Sequence, residues 1–145
     1  MLVWPTLATY PIFPQGTIES QECVRHALGR FAYEQLGIPR SGIRLREARA
    51  LGEYVNILPP ERSLSRKYMI CVVAAHKMNE LWLNGTNPKY SKYLMVDSGA
   101  AFLAQLGELR RLRPVKFQAM CEMVNKAHKL GMLEWSCRGL LEQAA

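Results

Sequence analysis

The chain has 145 residues, of which 49% are aliphatic, aromatic or cysteine and 21% are charged. This composition supplies enough apolar material for the core of one ordinary domain and excludes an intrinsically disordered chain. Nineteen Lys and Arg against twelve Asp and Glu give a formal net charge of +7, so we expect a partner that carries negative charge.

The first residues lack the basic segment and the unbroken apolar stretch of a secretory signal. The longest apolar run, residues 68–75, is much shorter than the roughly 20 residues that span a bilayer, which predicts no membrane partner. The four cysteines stand far apart at positions 23, 71, 121 and 137, as expected for free thiols in a reducing compartment. We therefore expect an intracellular protein of the cytoplasm, nucleoid or nucleus.

Residues 1–16 contain three prolines, one glycine and no charged side chain. This pattern predicts an extended, Pro-rich arm ahead of a helical domain at 17–145. Aromatic side chains dominate the energetics of many protein interfaces. Because the arm carries Trp4, Tyr10 and Phe13, it is a candidate partner-binding segment and a candidate route to a homo-oligomer.

Two helices are predicted after the arm. The first starts near Thr17, repeats apolar residues such as Ala27 and Phe31 on one face, and ends at Gly37. The second is predicted from an apolar face that stops before Pro59 and comprises Leu45, Ala48, Leu51 and Val55.

The strongest helical periodicity lies at about 61–83. Its apolar positions recur three, four or seven residues apart at Leu64, Tyr68, Cys71, Ala75, Met78 and Trp82. The middle of the segment is apolar on every side, so a helix here has to be enclosed by other helices. We expect this helix to lie at the centre of the domain.

Two more helices follow. Asp97 or Ser98 can cap a helix that ends at Arg113 and whose inward residues are Phe102, Leu103, Leu106 and Leu109. The next begins at Pro114, ends at Gly131 and has a core face of Phe117, Met120, Cys121, Val124, Ala127 and His128. With a short last helix at 138–143, the sequence predicts an all-α, single-domain bundle of about five to six helices around the central one.

Catalytic and metal-binding motifs are absent from the sequence. Cys23 with His26 and Cys121 with His128 are one and two helical turns apart, but they lack the compact spacing of structural zinc sites. We interpret His26 as a surface residue and the other three as core residues. Neither a nucleophile elbow nor a phosphate-binding loop occurs. We expect no enzymatic activity, no metal and no cofactor.

A glycine that can end a helix, Gly37, is followed by two apolar residues, Ile38 and Ile43. Over some 20 residues this arrangement resembles the turn of a helix-turn-helix DNA-binding motif, with Gly37 as the turn glycine and the two isoleucines as packing residues. It implies contact with duplex DNA. A plain antiparallel helical hairpin with a proline in its loop explains the same residues.

Basic residues form three groups that suit phosphate contacts. The first comprises Arg40, Arg44, Arg46, Arg49, Arg62, Arg66 and Lys67; the second Arg110, Arg111, Arg113 and Lys116; and the third, where a ring that could stack on a base alternates with amines, Lys89, Tyr90 and Lys92. Helix capping and simple solvation are the alternative explanations for these charges.

The sequence thus favours a non-enzymatic nucleic-acid-binding protein that grips phosphates through its arginine groups, with duplex DNA favoured over other nucleic acids. The alternative is a protein-interaction module, such as an inhibitor or a subunit of a larger assembly. Such a module would apply its apolar arm and its arginines to an acidic protein surface.

Overall fold

The structure, a computed structural model, describes residues 1–57, 65–72 and 90–140, and for 53–57 and 65–72 it describes the backbone. Within these residues the protein has four α-helices and two antiparallel sheets of two strands each. The predicted all-α bundle of five to six helices is therefore wrong. The described residues form two compact units, one of 1–48 with 90–96 and the other of 49–57, 65–72 and 97–140.

The first unit is built on a sheet that the N-terminal residues complete. Strand β1, Leu2–Pro5, pairs antiparallel with strand β4, Tyr90–Leu94. Val3 also exchanges two main-chain hydrogen bonds of 2.9 Å with Ile12, so the chain folds back on itself after β1. Leu2, Val3 and Ile12 are buried. The extended residues predicted as an arm therefore contribute a strand and core side chains to this unit.

Helix α1, Val24–Leu36, belongs to the same unit. It begins seven residues later than the predicted start at Thr17, because Cys23 is its N-cap. It ends at Gly37 as predicted, and Gly37 adopts a left-handed conformation with φ of 69°. The N–H of Gly37 donates to Tyr33 O at 3.0 Å and that of Ile38 to Ala32 O at 2.9 Å, which closes the helix end.

Residues 38–57 contain no α-helix. Two short 3₁₀ turns, Arg40–Gly42 and Leu45–Glu47, lead into strand β2, Arg49–Ile57. The helix predicted from Leu45 to Val55 is therefore wrong, and so is the resemblance to a helix-turn-helix motif, which needs a recognition helix at this place. Ile38 and Ile43 instead pack against Ala32 of α1 in a small apolar cluster.

The second unit begins with a pair of strands. Strand β2 pairs antiparallel with strand β3, Ser65–Val72, so that Tyr54 lies opposite Tyr68. The predicted central helix at 61–83 is thus wrong over 65–72, and the remaining positions, 61–64 and 73–83, lie outside the described residues.

A short apolar run fits a strand and a buried helix equally well by periodicity. Tyr68, Ile70 and Val72 alternate along β3, and Val55 and Ile57 alternate along β2. β-Branched and aromatic residues lose side-chain freedom in a helix and pack well on a sheet. The antiparallel partner strand supplies the backbone hydrogen bonds, which local periodicity does not report.

Three helices complete the second unit: α2, Gly99–Ala104; α3, Gly107–Leu112; and α4, Pro114–Lys129. Ser98 caps α2, since its hydroxyl accepts a hydrogen bond of 3.1 Å from Ala101 N, which confirms one of the two predicted caps. The single helix predicted up to Arg113 is divided in two between α2 and α3. Its inward residues Phe102, Leu106 and Leu109 are nevertheless buried.

Helix α4 is the best-predicted element. It starts at Pro114, and its core residues Phe117, Met120, Cys121, Val124 and Ala127 are buried as predicted. His128 is exposed, so its assignment to the core is wrong, although its Nδ1 lies 2.9 Å from Leu133 O. Of the predicted last helix, residues 141–143 lie outside the described residues. None of the described helices combines the length and the apolarity needed to cross a membrane.

Candidate anion-binding surface

Three glutamates of the first unit lie around one arginine, Arg30. Arg30 on α1 donates to both oxygens of the Glu22 carboxylate at 2.8 and 2.9 Å, and to Thr17 O at 2.9 Å. Glu34 and Glu19 lie within 3.4 and 3.7 Å of the same guanidinium. Arg30 is therefore committed to the fold and is not available to a partner. This network was missed from the sequence because Glu22 and Arg30 are eight residues apart and meet only where the chain turns into α1.

The network makes the first unit sensitive to acid. The hydrogen bonds from Arg30, and after them the hydrogen bond from Glu19 N–H, hold the pKa of Glu22 well below its usual range. A carboxyl with a depressed pKa stabilises the fold above its unfolded pKa, and this contribution is lost as the pH falls toward the folded value. We expect wild-type stability to fall between about pH 5 and pH 3 with a slope that Glu22→Gln lacks.

The control for this prediction is Glu34→Gln, which removes a more exposed partner of the same guanidinium. Thermal unfolding measured across this pH range compares the three proteins. The Glu34→Gln protein is expected to keep the acid slope of the wild type. An unchanged slope in Glu22→Gln would contradict the assignment.

The first basic group is divided between the two units. Arg40 and Arg46 are exposed in the 3₁₀ turns, and the exposed Arg44 precedes the second turn, 3.8 Å from the Glu47 carboxylate. Arg49 is the first residue of β2, and Arg66 and Lys67 are positions of β3, so these three belong to the second unit. Arg62 lies outside the described residues. Of the six members that the structure describes, three therefore belong to each unit.

The third basic group has internal partners. The Tyr90 hydroxyl donates to Gln35 Oε1 at 2.7 Å and accepts from Gln15 N at 3.2 Å. Burial raises the pKa of Tyr90, and the hydrogen bond with Gln15 opposes this rise. Lys92 Nζ lies 4.6 Å from the centroid of the Trp4 ring, a cation–π contact. Lys89 lies outside the described residues.

The aromatic residues of the predicted arm, Trp4, Tyr10 and Phe13, are each partly buried in the first unit. Trp4 is a strand residue opposite Lys92 in the β1–β4 sheet. Its ring is thus partly engaged inside the unit. The structure leaves the partner-binding role of all three a hypothesis.

The second basic group is brought together where α3 meets α4, and we call Arg110, Arg111, Arg113 and Lys116 the basic corner. Arg111 makes two hydrogen bonds of 2.9 and 3.0 Å to the Glu108 carboxylate, one turn earlier on α3. The Arg110 guanidinium lies over the Phe117 ring, 5.3 Å from its centroid. Both arginines lie in the last turn of α3, where the helix dipole stabilises positive charge.

Arg113 and Lys116 have the opposite relation to α4. Arg113 is its N-cap residue and Lys116 lies in its first turn, which contains no acidic residue. The N-terminal end of a helix carries partial positive charge, and its first N–H groups have no acceptor within the helix. Burial, and after it the charge of Arg113, lowers the pKa of Lys116. Two positively charged side chains therefore lie at a helix end that disfavours positive charge.

Such a place favours an anion. A phosphate or carboxylate at this helix end would offset the repulsion and accept hydrogen bonds from N–H groups and from the arginine. The sequence identified the four basic residues but missed the partial burial of Lys116. Exposed apolar residues, Leu112 and Val115, flank the corner.

Among the residues that the structure describes, no group of three or more His, Cys, Asp or Glu side chains is arranged so that it could hold a metal ion. Cys23 is exposed rather than in the core, and its Sγ accepts a hydrogen bond from His26 N at 3.4 Å. His26 is exposed as predicted and contacts Glu22 through Nδ1 at 2.7 Å. Cys121 is buried as predicted.

Comparisons of the chain with models of known protein families, with curated protein sequences and with solved structures found no match, so its function has to be argued from its own residues.

Proposed function

We propose that this protein is a non-enzymatic nucleic-acid-binding protein that holds backbone phosphates at the basic corner. The observation that carries the proposal is that Arg113 and the partly buried Lys116 both lie at the start of α4. This helix end has no side-chain cap, and its first turn contains no acidic residue. A phosphate chain supplies repeated negative charges, so neighbouring phosphates can engage Arg110 as well. The high formal charge of the chain supports the same class of partner.

The proposal concerns the phosphate backbone rather than base edges. The preference for duplex DNA came from the helix-turn-helix resemblance, and it falls with that resemblance. Arginine and lysine contacts to phosphates position a protein on a nucleic acid without reading its sequence. We therefore propose binding with weak sequence preference, to be compared across single-stranded and duplex forms.

The test is a salt titration with fluorescently labelled single-stranded DNA, duplex DNA and RNA of equal length. We expect affinity to fall steeply with added salt. The variant Arg113→Gln/Lys116→Gln is expected to bind about tenfold more weakly at low salt and to reduce the slope of log K against log salt by roughly 1 to 2. The slope is expected to be smaller because binding releases fewer counterions when the protein contacts fewer phosphates.

The matched control is Arg25→Gln/Lys129→Gln, which removes the same net charge from two exposed positions on α1 and at the far end of α4. It is expected to keep most of the affinity and the wild-type slope. Equal losses in both variants would mean that net charge alone attracts the probe. Binding that is absent or independent of salt would overturn the proposed function.

A further inference from the structure

Two cysteines of the second unit lie against each other inside the protein. Cys121 on α4 and Cys137 in the segment after it are both buried, with exposed fractions of 1% and 0%. The two thiols interact, and each shifts the pKa of the other. Cys137 N also donates to Asn125 Oδ1 at 2.8 Å, one turn after Cys121 on the same helix. The backbone of Cys137 is thus fixed to the face of α4 that carries Cys121.

This interaction makes the two thiols unequal, because it raises the pKa of Cys121 and lowers the pKa of Cys137. The thiolate is the reactive form of cysteine, so Cys137 is the better nucleophile of the two. Cys121 is then placed to attack the sulfur of an oxidised Cys137.

We infer that Cys121 and Cys137 are a latent disulfide pair, and that a small peroxide is the oxidant that closes it. The Cys137 thiolate attacks one peroxide oxygen, the O–O bond breaks, hydroxide leaves and a sulfenic acid forms. The Cys121 sulfur then attacks the Cys137 sulfur, the S–O bond breaks and water leaves. Two thiols are oxidised to one disulfide while one hydrogen peroxide is reduced to two waters.

The oxidant reaches the pair when the segment that carries Cys137 opens. Residues 132–139 have no regular secondary structure, and among their contacts are a hydrogen bond of 3.0 Å from Met132 N to Ala127 O and the packing of Trp135 on Phe102. Local opening requires the breaking of the hydrogen bonds from Met132 N to Ala127 O and from Cys137 N to Asn125 Oδ1, and it does not require global unfolding. A disulfide would hold this segment on α4 until it is reduced.

The test uses the full chain and a variant, Cys23→Ser/Cys71→Ser, in which only the pair remains. After treatment with hydrogen peroxide, we expect each protein to lose the mass of two hydrogen atoms and to yield a cross-linked peptide that contains Cys121 and Cys137. The melting temperature of the oxidised double variant is expected to rise by roughly 5 to 10 °C, because the cross-link restricts the unfolded chain. Reduction with dithiothreitol is expected to reverse both changes.

Cys137→Ser supplies the opposing control, since it keeps the exposed Cys23 and is expected to form no intramolecular cross-link. Two results would overturn the inference. One is a full chain whose peroxide product is a dimer joined through Cys23 while Cys121 and Cys137 can still be alkylated after denaturation. The other is a double variant that folds, shown by the circular dichroism of the wild type, and keeps both thiols. If the double variant does not fold, peptide mapping of the full chain decides the question.

Discussion

Deleting residues 1–14 is expected to unfold the first unit. The deletion removes β1, so that β4 loses its partner strand, and it removes the buried side chains of Leu2, Val3 and Ile12. An isolated strand with no partner is not stable in water. We expect the loss of the cooperative melting transition of this unit, measured by circular dichroism and by amide hydrogen exchange of α1.

The point variant Val3→Asp tests the same idea without shortening the chain. Val3 is fully buried, and an aspartate there has to be desolvated or protonated, which costs about 4 kcal/mol. Leu7→Asp is the matched control, because Leu7 is 98% exposed and has a φ of 69°, a conformation that Asp tolerates better than Leu. It is expected to leave stability unchanged or slightly higher.

The deletion also separates two interpretations of the N-terminal residues. If they serve only as a partner-binding arm, the shortened chain keeps its fold and loses association with itself or with a partner. A shortened chain that melts like the wild type would therefore contradict the structural role argued from β1. It would also support the alternative hypothesis that Trp4, Tyr10 and Phe13 bind a partner protein.

Phe102→Ala is expected to destabilise the second unit by about 3 to 5 kcal/mol. Phe102 is 1% exposed, and its ring packs on Trp135 with 5.5 Å between the centroids and 45° between the planes. Removing the ring leaves a cavity that the surrounding helices fill only in part. Urea denaturation followed by circular dichroism measures the loss.

Tyr33→Ala is the control for this loss, since it truncates an aromatic side chain that is 66% exposed on α1. Its cost is expected to stay within about 1 kcal/mol. Similar losses in both variants would contradict the packing role of Phe102. Because Trp135 precedes Cys137 by two residues, Phe102→Ala is also expected to speed the alkylation of Cys137 in the folded protein.

Local signals explain why some elements were predicted and others were not. Helix α4 has Pro114 at its first position and a long apolar stripe, and α1 has Gly37 at its end, so both were identified with at least one correct boundary. Strands β2 and β3 carry short apolar runs whose spacing also fits a helix. Their register, with Arg49 opposite Val72, joins residues distant in sequence.

The candidate site shows a similar division. The sequence placed four basic residues around Arg113 and Pro114, and the structure brings them to the junction of α3 and α4. The sequence could not show that Arg111 is paired with Glu108, or that Lys116 is partly buried in a first helical turn without acidic residues. Burial and pairing depend on neighbours that the fold supplies, and they decide which charges remain for a partner.

By itself, the sequence determined the net positive charge, the helical character of α1 and α4, and the apolar residues that α4 buries, since each follows from composition or from contacts within a few residues. Only the tertiary structure decided that 49–57 and 65–72 are paired strands, that Arg30 is enclosed by glutamates, and that Cys137 is held on the face of α4 that carries Cys121. Each of these depends on an interaction between segments that the chain must first bring together. The free energy that such pairings contribute cannot be inferred from the residues of one segment alone.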